Sequence, residues 1–397
     1  MQLLFHLGKI KYENYENQYL YVILVASSQK HNLCISKFIT IFEAIKFNNE
    51  MRNIFILCFL LITTAGFSQT KKSYKIGIIG FYNLENLFDT IDGPNNDAEF
   101  LPNGANHYTG EVYIDKLGKL SDVLSQIGTD ASPDGLSLFG VAEVENKNVL
   151  VDLIATEKLK DRHYEIVHYD SPDERGIDVA LIYNPKYLTV TASENLFVDL
   201  STPKEPVGHK TRDVLFVTGK YDGEPIYIFV NHWPSRRGGE EASAPGRKKA
   251  AKVCRDKMNE IQRKDPNAKI VVMGDLNDDP TNESVAKIIG ATGDIENLRK
   301  GQMYNPWTEL FEKGIGTLAY NDAWSLFDQI IISEPFISKK QKGFFYREAD
   351  IFNKPFMSQQ SGRYKGYPKR TYDFSNYAGG YSDHFPTYII LYKEIVK

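Results

Sequence analysis

The chain has 397 residues, 42% hydrophobic and 25% charged, with a formal net charge of -4. That composition excludes a disordered or fibrous chain and leaves length for a large core or two domains. The slightly acidic balance excludes a global basic field for nucleic acid, so any polyanion site must be a local patch.

Residues 1–50 are rich in Asn, Tyr and Lys and show no clear periodicity. Residues 51–72 read "MRNIFILCFLLITTAGFSQTKK". A basic start at Met51 and Arg52, an apolar run over 54–62 and the small residues Ala65, Gly66 and Ser68 follow in the order of a secretory signal peptide. The run is too short to span a bilayer comfortably. The pattern predicts a signal peptide over 51–68, export to the periplasm or medium, and an upstream extension over 1–50 foreign to a protein starting at Met51. The mature chain would then carry no transmembrane segment and one domain over 75–397. Of three cysteines, only Cys254 lies beyond the leader, which excludes an internal disulfide and a cysteine zinc site in the mature chain.

Residues 75–82 read as a buried strand leading into "NLENLFD", and residues 89–110 as a long polar loop. Residues 111–127 place Ile114, Leu117, Leu120, Val123, Leu124 and Ile127 on one helical face. A strand over 136–142 ends at "EVEN", and a short helix follows over 147–160. Strands then dominate: "YEIVHYD", "GIDVALIYNP", and a hairpin turning at Asp222-Gly223 within "LFVTGKYDGEPIYIFVNHW". A basic amphipathic helix over 246–263, the strand "KIVVMGDLN", a helix over 281–289 and the strands "FDQIIISE" and "FPTYIILY" complete the pass. With no repeat and no composition break, one mixed α/β domain is the simplest account.

Several apolar runs end in residues suited to catalysis: Asn83 after "IIGFY", Glu143 after "LFGVA", His232 after "YIFVN", and Asp275 and Asn277 in "IVVMGDLN". Asp383 and His384 stand just before a strand in "SDHFPTYII". Unpaired carboxylates at the ends of buried strands are costly, so they are expected to share a rim with cationic partners. Asp278 and Asp279 read as turn residues before Pro280, and Glu145-Asn146 as the first turn of a helix. His163 and His168 read as structural residues in a strand, and His107 and His209 as exposed loop residues.

In this order the motifs "FYNLEN", "VAEVEN", "VNHWPS", "MGDLND", "FDQIIIS" and "GYSDHFP" make the chain resemble the endonuclease/exonuclease/phosphatase superfamily, the DNase-I-like fold, over about residues 75–392. The resemblance implies a four-layer α/β sandwich, two mainly antiparallel sheets face to face with helices outside. It implies a divalent-metal phosphoesterase, with Mg²⁺ as cofactor and Mn²⁺ or Ca²⁺ as alternatives. It assigns Glu143, Glu85, Asn83 and Asp383 to the metal. Asp275 would activate the attacking water, Asn277 would hold a phosphate oxygen, His384 would pair with Asp328, and His232 would be the second histidine. Arg175, in "RGIDVALIY", falls where a phosphate-side residue can occur. The chain departs from the family where the residue before the metal glutamate is Ala142 rather than Gln, and where the histidine element reads "NHWPS".

The residue types fit that chemistry independently. Phosphoryl transfer to water needs an aligned nucleophile and positive charge at the phosphate. Mg²⁺ prefers hard oxygen ligands. A carboxylate beside a histidine can hold it protonated near neutral pH.

Two basic regions bear on substrate. Arg236 and Arg237 follow His232, with Arg247, Lys248 and Lys249 opening the next helix. Arg347, Arg363, Lys365, Lys369 and Arg370 interleave with Phe and Tyr in a stretch that reads as a loop before "SDH". Basic and aromatic residues together suit phosphate backbones and bases. Nucleic acid is therefore the expected substrate, with Arg175, Arg236 and Arg237 at the phosphates. A phosphatase or phospholipase acting on inositol phosphates or sphingomyelin, and a catalytically silent binding module, are the alternatives.

Overall fold

The computed structural model describes residues 73–202, 210–338 and 343–395. The segments expected to be a leader and an upstream extension, and His209, lie outside them. Strands are numbered in chain order. One sheet has the order β14-β17-β1-β2-β4-β3. Its members are β1 (Ser73–Leu87), β2 (Leu138–Val144), β3 (Glu165–His168), β4 (Asp178–Tyr183), β14 (Phe345–Ile351) and β17 (Thr387–Ile395). The other has the order β5-β6-β7-β8-β13-β10-β9. It contains β5 (Leu188–Leu196), β6 (Val214–Tyr221), β7 (Glu224–His232), β8 (Lys269–Asp275), β9 (Ala291–Thr292), β10 (Met303–Tyr304) and β13 (Asp328–Ser333). Two small hairpins stand apart: β11 (Leu318–Tyr320) with β12 (Ala323–Ser325), and β15 (Tyr372–Asp373) with β16 (Asn376–Tyr377).

Alternation along the strands builds four layers. In β8, Val271 and Met273 join the core shared with the first sheet, while Ile270 and Val272 face the opposite way into a second cluster. Ile330 and Ile332 of β13 point inward and Ile331 outward. Strands buried on both faces have apolar residues on both faces, which is why these read as continuous apolar runs rather than alternating ones. The sheets approach closely at Gly140, where a Cβ would sit 2.8 Å from the Met273 sulfur and 2.9 Å from Val230.

Helices cover the outer faces. α1 (Gly110–Gln126), capped by the Thr109 side chain, seats Leu117, Leu120, Val123 and Leu124 in the first core, with α2 (Lys147–Ala155) beside it. α3 (Glu240–Lys264) seats Ala250, Cys254 and Met258 against the second sheet. A π-helical turn over Ser284–Ile289 and a short α4 (Thr308–Glu312) complete the set. No helix among the described residues is long and apolar enough to cross a membrane.

Several elements differ from their sequence reading. Ile114 is 69% exposed, because the buried stripe of α1 runs through Leu117, Leu120 and Leu124 and leaves Ile114 at its flank. Lys116, by contrast, is buried. α3 begins at Glu240, before the expected 246, and carries Pro245 inside it. Of the segment expected as a helix over 281–289, Ser284–Ile289 form a π turn. β5 and β14 escaped notice because edge strands face solvent on one side and so look polar: Arg347, Glu348 and Asp350 sit within β14. The basic stretch containing them is therefore part strand, part loop. His163 lies in a turn and is exposed, outside any strand.

Candidate active site

The topology explains why acids terminate some strands and precede others. β1 runs parallel to β2, and β7 parallel to β8, so each pair ends on the same rim. β17 pairs antiparallel with β1, and β13 with β8, so these two begin there. In the second sheet, His232 pairs across to Asp275, and Asp275 to Asp328, placing three candidate residues in one transverse row. Gly274 permits this closeness, since a Cβ there would lie 2.3 Å from the Asn231 carbonyl oxygen.

The first sheet reaches the rim through two irregularities. The β1–β2 register breaks between Asn83 and Leu87, and the β2–β4 register between Ala142 and Val144. Glu143 is the extra residue of the second break, and such bulges re-aim a side chain. Glu85, Asn86, Glu143 and Asn277 all have positive φ, at 50°, 55°, 60° and 49°. Non-glycine residues in this region carry strain of about 1–3 kcal/mol each and cluster at functional sites.

Asp275 is the hub. Its Oδ2 accepts from Asn83 Nδ2 at 3.0 Å, and its Oδ1 from the Asn277 backbone N–H at 3.0 Å. His232 Nε2 lies 3.7 Å from Oδ2 and His384 Nε2 3.9 Å from it. Burial raises the Asp275 carboxyl to about 6, with Asp328 adding to the rise and the charge on His384 opposing it. His384 Nδ1 meets Asp328 Oδ2 at 2.7 Å, and Thr317 Oγ1 donates to the same oxygen at 2.5 Å. Burial works against a charged His384, but Asp328, then Asp275 and Asp383, raise it well above the usual histidine value. The ring is thus an imidazolium at neutral pH. His232 goes the other way: burial, with Arg212 and Arg175 nearby, holds it neutral. Its Nε2 lies 3.8 Å from Glu143 Oε1, and its buried Nδ1 has no hydrogen-bond partner.

Glu143 and Glu85 form the acidic pole. Burial disfavours ionised Glu143, but Arg175 and His384 outweigh it and keep the carboxyl below its usual value. Arg175 donates to it at 3.3–3.4 Å through both terminal guanidinium nitrogens. Burial pushes Glu85 up to about 7, helped by the charge of Asp383. Asp383 meets Arg370 at 3.3 Å. Asn83 Oδ1 accepts from the Glu85 backbone N–H at 2.9 Å, fixing both side chains on one turn. A buried acid raised by a neighbouring acid calls for a cation, and oxygen donors without sulfur suit a hard divalent one. Asp275, Asp328 and His384 also bring ligand atoms within 4.8 Å of one another. Acidic and histidine groups able to hold a divalent metal are therefore present.

Residues 78–393 match the model of the Endonuclease/Exonuclease/phosphatase family. The chain belongs to this family. Solved structures similar to it include an endonuclease/exonuclease/phosphatase family protein of Bacteroides thetaiotaomicron, at 17% identity and TM-score 0.48 over 81% of this chain and 100% of that one. A mannosyl-6-phosphatase of the same organism matches at 19% identity and TM-score 0.47 over 79% and 99%. TDP2 of D. rerio, complexed with a single-strand DNA product, matches at 13% identity and TM-score 0.47 over 80% and 99%. A search of curated proteins gives no match. Membership of the family makes the protein a hydrolase of phosphoester bonds.

Within this family member, Asn83, Glu85, Glu143, Arg175, His232, Asp275, Asn277, Asp328, Asp383 and His384 all lie on the one rim. Arg236 does not face out from it. Its Nε donates to the Asn277 carbonyl at 2.9 Å, its Nη2 to Asp279 at 3.0 Å and to Asn282 at 3.1 Å, and it stacks over Phe327. It braces the Asp275–Asn277 turn rather than presenting a cation to substrate. Arg237 is exposed. Asp278 and Asp279 are more than turn residues: both are buried, Asp278 bonding Arg247 and Ser284 at 2.6 Å each, Asp279 accepting from the Leu326 backbone at 2.8 Å. Two short polar side chains just after a strand read as a turn, whereas their burying partners come from α3 and β13's approach. Asn146 caps α2, as its position suggests. His168 and Asp178 bond each other at 3.0 Å.

Sequence reasoning missed five supporting residues. Thr317 bonds Asp328. The Thr371 backbone N–H donates to Glu85 Oε2 at 2.7 Å, and buried Lys116 donates to the Thr371 hydroxyl at 2.6 Å. Arg212 donates to the carbonyls of His232 and Trp233 at 3.1 and 2.7 Å. Ser382 donates to the Asn83 carbonyl at 2.7 Å, tying the "SDH" turn to β1. Single threonines, lysines and serines give no local signal, because their partners lie far away in the chain.

Proposed function

We propose that this protein is an exported, Mg²⁺-dependent nuclease that hydrolyses phosphodiester bonds of DNA or RNA. The observation that carries the hydrolytic reading is the Asp275 carboxylate held between a charged and a neutral histidine. A base near neutral in strength and an acid that is already protonated are what hydrolysis of a phosphoester requires.

Asp275, ionised above about pH 6, accepts a proton from the attacking water. Asn83 and the Asn277 backbone fix its two oxygens. The His384 imidazolium, locked through Nδ1 by Asp328, presents Nε2 to the phosphate and places positive charge where negative charge develops. Neutral His232 donates or accepts a hydrogen bond there without adding charge. Glu143, Glu85, Asn83 and Asp383 would hold the divalent ion, which would supply Lewis-acid charge at the phosphoryl and leaving oxygens. Exposed Arg370, Arg363, Lys365 and Arg237 supply local cations for a polyanion despite the acidic chain. The leader-like segment over 51–68 supports export.

Incubation of the purified protein with plasmid DNA, RNA, bis-p-nitrophenyl phosphate and p-nitrophenyl phosphate, with Mg²⁺ or with EDTA, tests this reading. Metal-dependent nucleic-acid cleavage that is lost in His384→Ala supports it. Turnover of the monoester with intact DNA and RNA would replace it with a phosphatase. N-terminal sequencing of the protein recovered from outside the cytoplasm tests export, expected to begin just after residue 68.

A further inference from the structure

Two hairpins flank the site in the same way. Thr317, whose hydroxyl bonds Asp328, stands three residues before Tyr320. Thr371, whose backbone bonds Glu85, stands three residues before Phe374. Each threonine pins a hairpin to the rim, β11–β12 at the His384–Asp328 end and β15–β16 at the acidic end. Each aromatic residue then sits at or beside its hairpin's tip, and these are the two most exposed large apolar residues described: Tyr320 at 76% and Phe374 at 92%.

The tips are built to hold those rings out. Asn321 and Asp322 have φ of 48° and 63°, the two left-handed residues of a tight hairpin turn. Tyr367 donates to Asp322 at 2.8 Å and buttresses that turn. Phe374 itself has φ of 52°, a position that glycine or asparagine fills without strain and an aromatic residue does not. Folding gains nothing from a fully solvated ring in a strained turn. Phe374 also lines a cleft of about 250 Å³ together with Glu85, Asn106, Arg370 and Tyr372. That is smaller than the roughly 300–1,000 Å³ of drug-sized sites, and suits one flat ring system. Arg370 joins the cleft to the reaction centre, since it contacts both Glu85 and Asp383.

We propose that Tyr320 and Phe374 are stacking platforms for unpaired nucleobases on either side of the scissile phosphate, so that the substrate is single-stranded nucleic acid. The proposal rests on the nuclease reading above and narrows it. In a duplex the base faces are already stacked on one another, so only an unpaired strand offers a face to each ring. Arg370 and Arg363, whose guanidinium lies over the Tyr364 ring, supply charge for the backbone between them.

The test compares the full-length protein with Phe374→Ala, Tyr320→Ala and Phe374→Trp. Phe197→Ala, at an exposed phenylalanine just beyond β5, serves as control. The probes are an oligodeoxythymidine strand, the same strand annealed to its complement, and an abasic strand of equal length. The wild type is expected to cleave the free strand in preference to the duplex. Each alanine variant is expected to raise KM for the base-bearing strand by about 5- to 150-fold, the range set by stacking of one base. The abasic strand should show no such rise, Phe374→Trp should keep the wild-type KM, and Phe197→Ala should match the wild type. Preference for duplex, or equal losses on abasic and base-bearing strands, overturns the proposal and leaves the nuclease reading standing. Failure of the wild type on all three probes and on an oligouridine strand removes both.

Discussion

His384 Nδ1 lies 2.7 Å from Asp328 Oδ2, although 56 residues separate them in the chain. Asp328 is fully buried and its other oxygen has no hydrogen-bond partner, so the imidazolium is the principal compensation for its charge. Loss of one partner leaves the other buried and unpaired. Asp328→Asn is expected to return His384 toward an ordinary histidine value and to lower kcat by about 10²–10⁴-fold. The sign for stability follows from the raised value. The pair stabilises the native state fully below about pH 6.5, and that contribution fades as pH climbs through the elevated value. Melting curves of the metal-free protein from neutral to alkaline pH should therefore show a decline in the wild type that Asp328→Asn lacks; parallel curves would contradict the pairing.

Asp275 presents the opposite balance. Its carboxyl is raised to about 6 by burial, so the protonated form is the one the native state favours. That contribution is present below the ordinary aspartate value near 4 and lost as pH rises through about 6. At pH 7 the ionised group burdens the metal-free protein. Asp275→Asn should abolish turnover yet raise stability in EDTA by about 1–3 kcal/mol. Chemical denaturation at pH 7 measures this directly, and a less stable variant would show that the hydrogen bonds of Asp275 outweigh its burial.

Glu85 predicts how metal binding responds to pH. Its carboxyl is lifted to about 7 by burial and by Asp383, and a divalent ion needs the ionised form. Calorimetric titration with Mg²⁺ at pH 7 in buffers of different ionisation enthalpy should reveal proton release on binding. Affinity should weaken as pH falls below 7, and Glu85→Gln should abolish the proton release. Binding heats independent of buffer would place the ion away from Glu85.

Arg236 separates bracing from substrate contact. Its guanidinium bonds the Asn277 carbonyl, Asp279 and Asn282. Arg236→Ala is expected to cost about 1–3 kcal/mol of stability by leaving Asp279 without its cationic partner. Turnover should fall through displacement of the Asp275–Asn277 turn, with the salt dependence of nucleic-acid binding unchanged. Arg237→Ala, at an exposed cation, should instead flatten that salt dependence by up to about one unit of slope. Equal salt slopes for both variants would return Arg236 to the substrate.

Much of this protein is legible without coordinates, for a local reason. Buried strands such as "KIVVMGD" declare themselves because both faces are covered, and the residues that end or precede them are read off directly. Asn83, Glu143, His232, Asp275 and His384 are each visible in this way, while Asp328 comes only with the family that the motifs resemble. The hairpin at Asp222-Gly223 was visible because a tight turn needs left-handed residues, and both have positive φ. What tertiary structure alone decided are relationships between distant segments. Whether Arg236 faces substrate or Asp279, whether Asp278 is solvated or bound to Arg247, and that Thr317 and Thr371 anchor the rim all depend on partners 11 to 286 residues away. The same holds for protonation. The sequence names two histidines, but the carboxylates around His384 make it charged, and burial with Arg212 and Arg175 keeps His232 neutral, because desolvation and Coulomb interaction act through space and not along the chain.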